Sequence, residues 1–136
     1  MKKESEIKIG HIDISQLNAP PEKHEFATAK YFADMGKDIV FLKPSDIPNI
    51  HTPDILMDGI EWEMKCPSGN SKRTIETNLR NAAKQSHYII FDLRRIQVPE
   101  KQCFAQLDRL FYSRSDIKRL LVIKKNNELF EYLKGS

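Results

Sequence analysis

Asp58-Gly59 separates two runs rich in apolar residues, Ile55-Leu56-Met57 before it and Ile60-Glu61-Trp62-Glu63-Met64-Lys65 after it. An Asp-Gly pair in that position is the signal of a β-hairpin closed by a type I′ turn, because both turn residues need positive φ and Asp and Gly tolerate it. With those two residues in the turn, Met57 faces Ile60, Leu56 faces Glu61, Ile55 faces Trp62 and Asp54 faces Glu63. Alternation then sorts Ile55, Met57, Ile60, Trp62 and Met64 to an apolar face, and Asp54, Glu61, Glu63 and Lys65 to the other. Directly opposed residues have Cβ atoms about 4.5–5.5 Å apart, so this register sets two carboxylates side by side. Like charges so placed repel, and the pattern asks for a compensating cation: a bound metal or Lys65.

The rest of the chain punctuates itself around this hairpin. Pro20 and Pro21 suit a helix start, and Phe26, Ala29 and Ala33 with Tyr31 and Phe32 keep helical spacing until Gly36, predicting a helix over 21–35. KDIVFLKP reads as a strand that Pro44 ends, followed by a proline-rich loop over 44–53. After CPSGN, Asn70 or Ser71 caps a helix over 72–85 whose apolar positions are Ile75, Leu79, Ala82 and Ala83. HYIIFDL is a continuous apolar strand of the kind found inside a sheet. A helix over 100–112 uses Phe104, Leu107, Leu110 and Phe111, and RLLVIKKNNELFEYL forms a final hairpin around Asn126-Asn127. Residues 5–14 alternate weakly around Ile7, Ile9, Ile12 and Ile14, a short strand or ordered arm within an N-terminal stretch over 1–19. The order of elements predicts a single α/β domain over 1–136 with a central mixed sheet flanked by helices.

A chain of 136 residues can bury a core without disulfides or a structural metal. With 30% charged and 40% hydrophobic residues it is globular in composition, which excludes wholesale disorder. The net charge of +3 is compatible with a polyanionic partner and too small to establish one. Cys66 and Cys103 make neither a CxxC motif nor a zinc set, and read as free thiols of a reducing compartment. No apolar run approaches the ~20 residues of a membrane helix, and MKKESEIKIGHIDI lacks the core of a signal peptide. The expectation is a protein that acts in the cytoplasm without a membrane partner, whether whole or excised from a larger exported protein.

The acidic face is where chemistry can reside. Mg²⁺ or Mn²⁺ takes oxygen ligands, typically one or two carboxylates with waters and substrate phosphate completing the shell. Asp54 and Glu63 can supply them, a backbone oxygen such as the Cys66 carbonyl can add one, and Lys65 can polarise an attacking water and steady transition-state charge. The alternative is a solvated hairpin face on which Lys65 pairs with Glu63. Pro53-Asp54 followed by Glu63-x-Lys65, on a hairpin between two helices, resembles the PD-(D/E)xK nuclease signature. The longer run PDILMDGIEWEMKCPSGNSKRTIETNLRNAAKQSHYIIFDL is similar to the C-terminal toxin nuclease domains of contact-dependent growth inhibition systems, several of which cut transfer RNA. Together these resemblances span residues 21–95. They imply a restriction-endonuclease-like core and a metal-dependent endonuclease hydrolysing phosphodiester bonds, of RNA (tRNA) before DNA, with an immunity protein as a neutralising partner. Carried over residue by residue, Glu25, Asp54 and Glu63 coordinate the metal, directly or through water, and Lys65 assists the nucleophilic water. Gln85 lies where related nucleases often carry a helix glutamine; an ordinary polar residue near a helix end explains it equally.

Ser68, Asn70, Ser71 and Thr74 can hydrogen-bond phosphate if the helix that follows aims its N-terminus at the substrate, with capping the simpler use of Asn70 and Ser71. Lys72, Arg73, Arg80 and Lys84 make a track for a nucleic-acid backbone, or a solvated helix face. Arg94, Arg95, Arg109, Arg114, Lys118, Arg119, Lys124 and Lys125 extend it. Toxin ribonucleases of barnase-like or colicin-like fold work without metal, and in such an enzyme His24, His51, Lys65 and Thr74 are the acid–base candidates. A catalytically silent nucleic-acid-binding domain of a mobile element or phage is the remaining reading. The intact set Glu25, Asp54, Glu63 and Lys65 favours activity, since binding alone needs no mutually repelling pair.

Overall fold

The structure, a computed structural model, describes residues 8–134. Its elements in chain order are β1 (Ile12–Asp13), α1 (Lys23–Ala33), β2 (Ile39–Phe41), β3 (Ile55–Met57), β4 (Ile60–Lys65), α2 (Thr74–Ala83), β5 (Tyr88–Asp92), α3 (Glu100–Ser113), β6 (Arg119–Ile123) and β7 (Leu129–Leu133). The chain divides into two compact units, 1–61 and 62–136, the division falling within β4. The α/β class and the mixing of parallel and antiparallel strands are as the sequence predicts.

In the first unit β1 runs parallel to β2, and β2 antiparallel to β3 with Ile39 opposite Met57 and Phe41 opposite Ile55. Those four side chains are buried while Val40 and Leu56 between them are partly exposed, the period of two that a sheet imposes. The weak alternation of the N-terminal arm yields only β1: Ile9 and Ile14 are exposed, and Ile7 lies outside the described residues. Gly10 docks the arm, its amide donating to the Ala33 carbonyl at 2.7 Å. A Cβ there would stand 1.7 Å from the Lys37 carbonyl oxygen, so only glycine fits.

Helix α1 packs on β1 and β2. It starts at Lys23 rather than at the prolines, because Glu22 is the extended residue before the first turn and forms a capping box with Glu25. Its buried residues are Thr28, Ala29, Phe32 and Ala33. Phe26, expected inside, is 39% exposed; Thr28 takes its place, made tolerable by its hydroxyl donating to the His24 carbonyl at 3.1 Å. Between β3 and β4 Asp58 has φ 56° and Gly59 φ 74°, the two positive values a type I′ turn requires. Lys37 fastens this turn through a 2.8 Å bond to Asp58.

In the second unit β4, β5 and β6 are parallel neighbours and β7 closes the edge antiparallel to β6. Helices α2 and α3 pack on each other and bury Ile75, Leu79, Cys103, Leu107 and Phe111 against Ile89, Phe91, Leu120 and Val122. Helix α2 corrects the capping expectation: its first residue is Thr74, its cap is Arg73 in helical conformation, and neither Asn70 nor Ser71 provides a side-chain cap. Gln106 of α3 does that work from outside. Its amide nitrogen donates to the Lys72 carbonyl at 2.8 Å and its oxygen accepts from the Glu76 amide at 3.2 Å. At the other end of α3, the Lys134 ammonium donates to the Phe111 and Arg114 carbonyls, each at 2.6 Å, and sits 4.4 Å above the Phe111 ring. Tyr132 of β7 is buried beside Phe111 and donates to Asp108.

Candidate active site

In the first unit the structure brings Glu25 and Asp54 within electrostatic reach of each other. Burial raises the Glu25 pKa above its ordinary value and the charge of Asp54 raises it further, opposed by a 3.4 Å hydrogen bond from the Glu22 amide and by His24. Asp54 is half-buried just before β3, and its carbonyl accepts from the Leu42 amide at 2.9 Å. Glu25 thus serves α1 as a capping residue and also carries a strained charge. Above its raised pKa the folded chain bears the cost of ionising it; below, that cost vanishes. Stability from this group therefore falls as pH rises from the ordinary value near 4.5 through the raised one. Glu25→Gln is expected to remove that fall, so that its stability gain over the parent grows with pH across the window in urea titrations. A gain that stays constant with pH would show that Glu25 is unperturbed.

In the second unit β4 presents Glu63 and Lys65. Glu63 is 4% exposed, and Lys65 Nζ lies 3.6 Å from its Oε2. In the parallel register Glu63 is opposite Ile89 and Lys65 opposite Phe91, which sets both on the face that α2 and α3 cover. The solvated-face alternative is thereby corrected for Glu63: it is an ionisable group taken out of water, with Lys65 as its cation. Trp62 projects to the opposite face, buried edge-on against Tyr88 at 5.8 Å with the Arg119 guanidinium 5.3 Å over its ring.

The remaining candidates scatter along the surface. Gln85 is half-buried just past the α2 cap, its amide bonded to the Ala82 carbonyl at 2.9 Å. Ser71, Lys72, Arg73 and Lys84 are exposed and Thr74 is half-buried. Arg80 of the expected track is held at 2.8 Å by Glu76, whose other oxygen takes Arg109 at 3.0 Å; the two guanidinium groups, Arg109 first, keep the Glu76 carboxyl below its usual range. Arg94, Arg114, Arg119 and Lys124 are likewise engaged by Asp92, Asp116, Glu131 and Glu128. Much of the positive charge read from the sequence is locally balanced. Of the metal-free candidates, His24 lies 3.2 Å from Glu22 and His51 is exposed in the loop before β3.

Sequence reasoning missed Asp92, which is 4% exposed at the end of β5 and clamped by Arg94 through two bonds of 3.0 and 2.8 Å. The signal was an acid terminating an apolar strand just before Arg94-Arg95. Among the described residues no three His, Cys, Asp or Glu side chains group as a ready metal cage. A Mg²⁺ site needs only one or two carboxylates beside water and phosphate, and Glu25, Asp54 and Glu63 are oxygen donors of that chemistry.

Residues 51–129 match the family model described as the contact-dependent growth inhibition CdiA C-terminal domain. No curated protein matches the chain. A solved structure described as a CdiA-CT/CdiI toxin and immunity complex from Burkholderia pseudomallei is similar at 20% identity with a TM-score of 0.63, over 92% of this chain and 100% of that one. At such identity the likeness speaks to the fold.

Proposed function

Because the chain belongs to the CdiA C-terminal domain family of contact-dependent growth inhibition, we propose that it is a toxin that hydrolyses phosphodiester bonds with a divalent metal, Mg²⁺ or Mn²⁺. Its substrate is RNA, tRNA before DNA, and its core is of the restriction-endonuclease-like PD-(D/E)xK type. The observation that carries this reading is Glu63, a carboxylate held nearly dry with the Lys65 ammonium 3.6 Å away, whereas a solvated strand would leave that carboxylate in water. Asp54 and Glu63 serve as carboxylate ligands and Glu25 as a further one, directly or through water. When bound, the metal lowers the pKa of a water and polarises a phosphoryl oxygen. Lys65 steadies the negative charge that builds on the phosphate, and Glu63, 3.6 Å away, holds its ammonium in position. Gln85, Ser71, Lys72, Arg73, Thr74, Arg80 and Lys84 are assigned to holding the substrate.

The toxin acts in the cytoplasm of the cell it enters, and an immunity protein neutralises it. That partner is supported by the description of the similar structure as a toxin–immunity complex. The test is incubation of the purified chain with total tRNA and with plasmid, with Mg²⁺, with Mn²⁺ and with chelator. Cleavage of tRNA that chelator abolishes is expected. Chelator-resistant cleavage would move the chemistry to His24, His51, Lys65 and Thr74 and the substrate's own 2′-hydroxyl, and binding without cleavage would mark a silent nucleic-acid-binding domain.

A further inference from the structure

We propose that the second unit carries a separate binding site for single-stranded RNA, in the basin where α3 ends and β6 begins, with a base stacked on Tyr112 and its phosphate on Lys118. The site rests on the reading of the chain as directed at RNA, and adds to it a second point of contact. The basin encloses about 640 Å³. It opens at the first residues of β5 and β6, Tyr88 and Arg119, and the last of β7, Leu133. Lys65 lies opposite Phe91, three residues further along β5 than Tyr88, or about 10 Å at the rise of a strand. The basin is therefore at the other end of the parallel strands from Lys65.

Two features select the ligand. The first is Tyr112, whose side chain is 70% exposed although it is aromatic. It meets Tyr132 edge-on at 6.0 Å and Phe111 at 5.2 Å and leaves most of its surface open to solvent, a flat aromatic platform at the rim of the basin. The second is charge. Of the four cations lining the basin, Arg114 is balanced by Asp116 and Arg119 by Glu131. Lys134 spends its hydrogen bonds on the two α3 carbonyls, which cancels the negative end of that helix without using a carboxylate. Lys118 is exposed and pairs with no carboxylate among the described residues. An occupant should thus bring negative charge together with a planar surface, which is the chemistry of a nucleotide whose base is not already stacked in a duplex. An acidic protein segment would satisfy the charge and leave the platform unused.

The experiment uses the full chain carrying Glu63→Gln, so that the probe survives, and measures anisotropy of a fluorescein-labelled oligouridylate, alone and annealed to its complement. Tyr112→Ala is expected to weaken binding of the single strand about tenfold, the loss of one stacked base, with Tyr112→Phe near the parent and the duplex little affected. Lys118→Glu is exposed enough to leave the fold intact, and should weaken binding and flatten its salt dependence. Single-strand binding within twofold of the parent in both Tyr112→Ala and Lys118→Glu would overturn the site. If these variants bind RNA normally but escape the immunity protein, the basin belongs to that protein and the inference fails. Normal binding by both alongside normal tRNA cleavage in the wild-type background would reject the basin and leave the proposed activity standing. Tyr112-dependent binding by a chain that never cleaves would do the reverse.

Discussion

Glu63→Gln is expected to lower tRNA cleavage on the order of 10²-fold or more, while the melting temperature stays level or rises. The substitution keeps the volume of a side chain that is 4% exposed and removes its charge. A buried carboxylate is costly to hold ionised, and Lys65, with 22% of its side chain exposed, can turn to water when its partner is gone. A residue kept for packing would behave in the opposite way, losing stability and retaining turnover. Asp54→Ala should follow the same course, because it also relieves the repulsion felt by Glu25. Cleavage within a few-fold of the parent in a well-folded Glu63→Gln chain would remove Glu63 from the chemistry. Inactivity of Asp54→Ala that merely tracks unfolding would remove the support for Asp54.

Trp62→Ala should cost about 3–5 kcal/mol of unfolding free energy, the range for deleting a large buried aromatic ring. The side chain is 1% exposed, meets Tyr88 edge-on and lies under the Arg119 guanidinium, so its removal empties space on one side and strips a cation of its aromatic partner on the other. Against a total stability of roughly 5–15 kcal/mol, such a loss leaves the chain near its unfolding threshold. Urea titration measures it, and Trp62→Phe should recover a large part. A loss under about 1 kcal/mol would mean that the ring is not the packing centre its burial indicates.

What could be read without the structure is the part that local chemistry dictates. Asp58-Gly59 forms its turn with both residues at positive φ, since few other pairs accept that backbone. Ile75, Leu79, Ala82 and Ala83 are the buried stripe of α2, and the apolar run from Tyr88 is an interior strand, because both patterns follow from the periods of helix and sheet. The failures lie where a distant residue intervenes. Asn70 and Ser71 looked like caps, yet the start of α2 is secured by Gln106, some thirty residues on. Phe26 and Thr28 exchange places because a backbone carbonyl satisfies the threonine hydroxyl, which no count of apolar residues registers. Cys103 is buried in α3 where only aromatic and leucine positions were expected, consistent with free cysteine behaving as a small hydrophobe. The cations were legible as residues, but their carboxylate partners were not. Arg80 and Arg109 converge on Glu76, and Arg119 reaches Glu131 across a strand pair, so a count of positive charges overstated what is available to phosphate.

Lys134 and Tyr132 have a consequence for the order in which the chain is made. Both belong to the last described strand and its end, and both complete structure laid down earlier, Tyr132 in the aromatic cluster and Lys134 on the open carbonyls of α3. Until they leave the ribosome exit tunnel, Phe111 and Arg114 keep bare carbonyls and β6 lacks its outer neighbour. The second unit thus stays unfinished until β7 is made, and a message cut short before β7 yields a polypeptide without its aromatic seal.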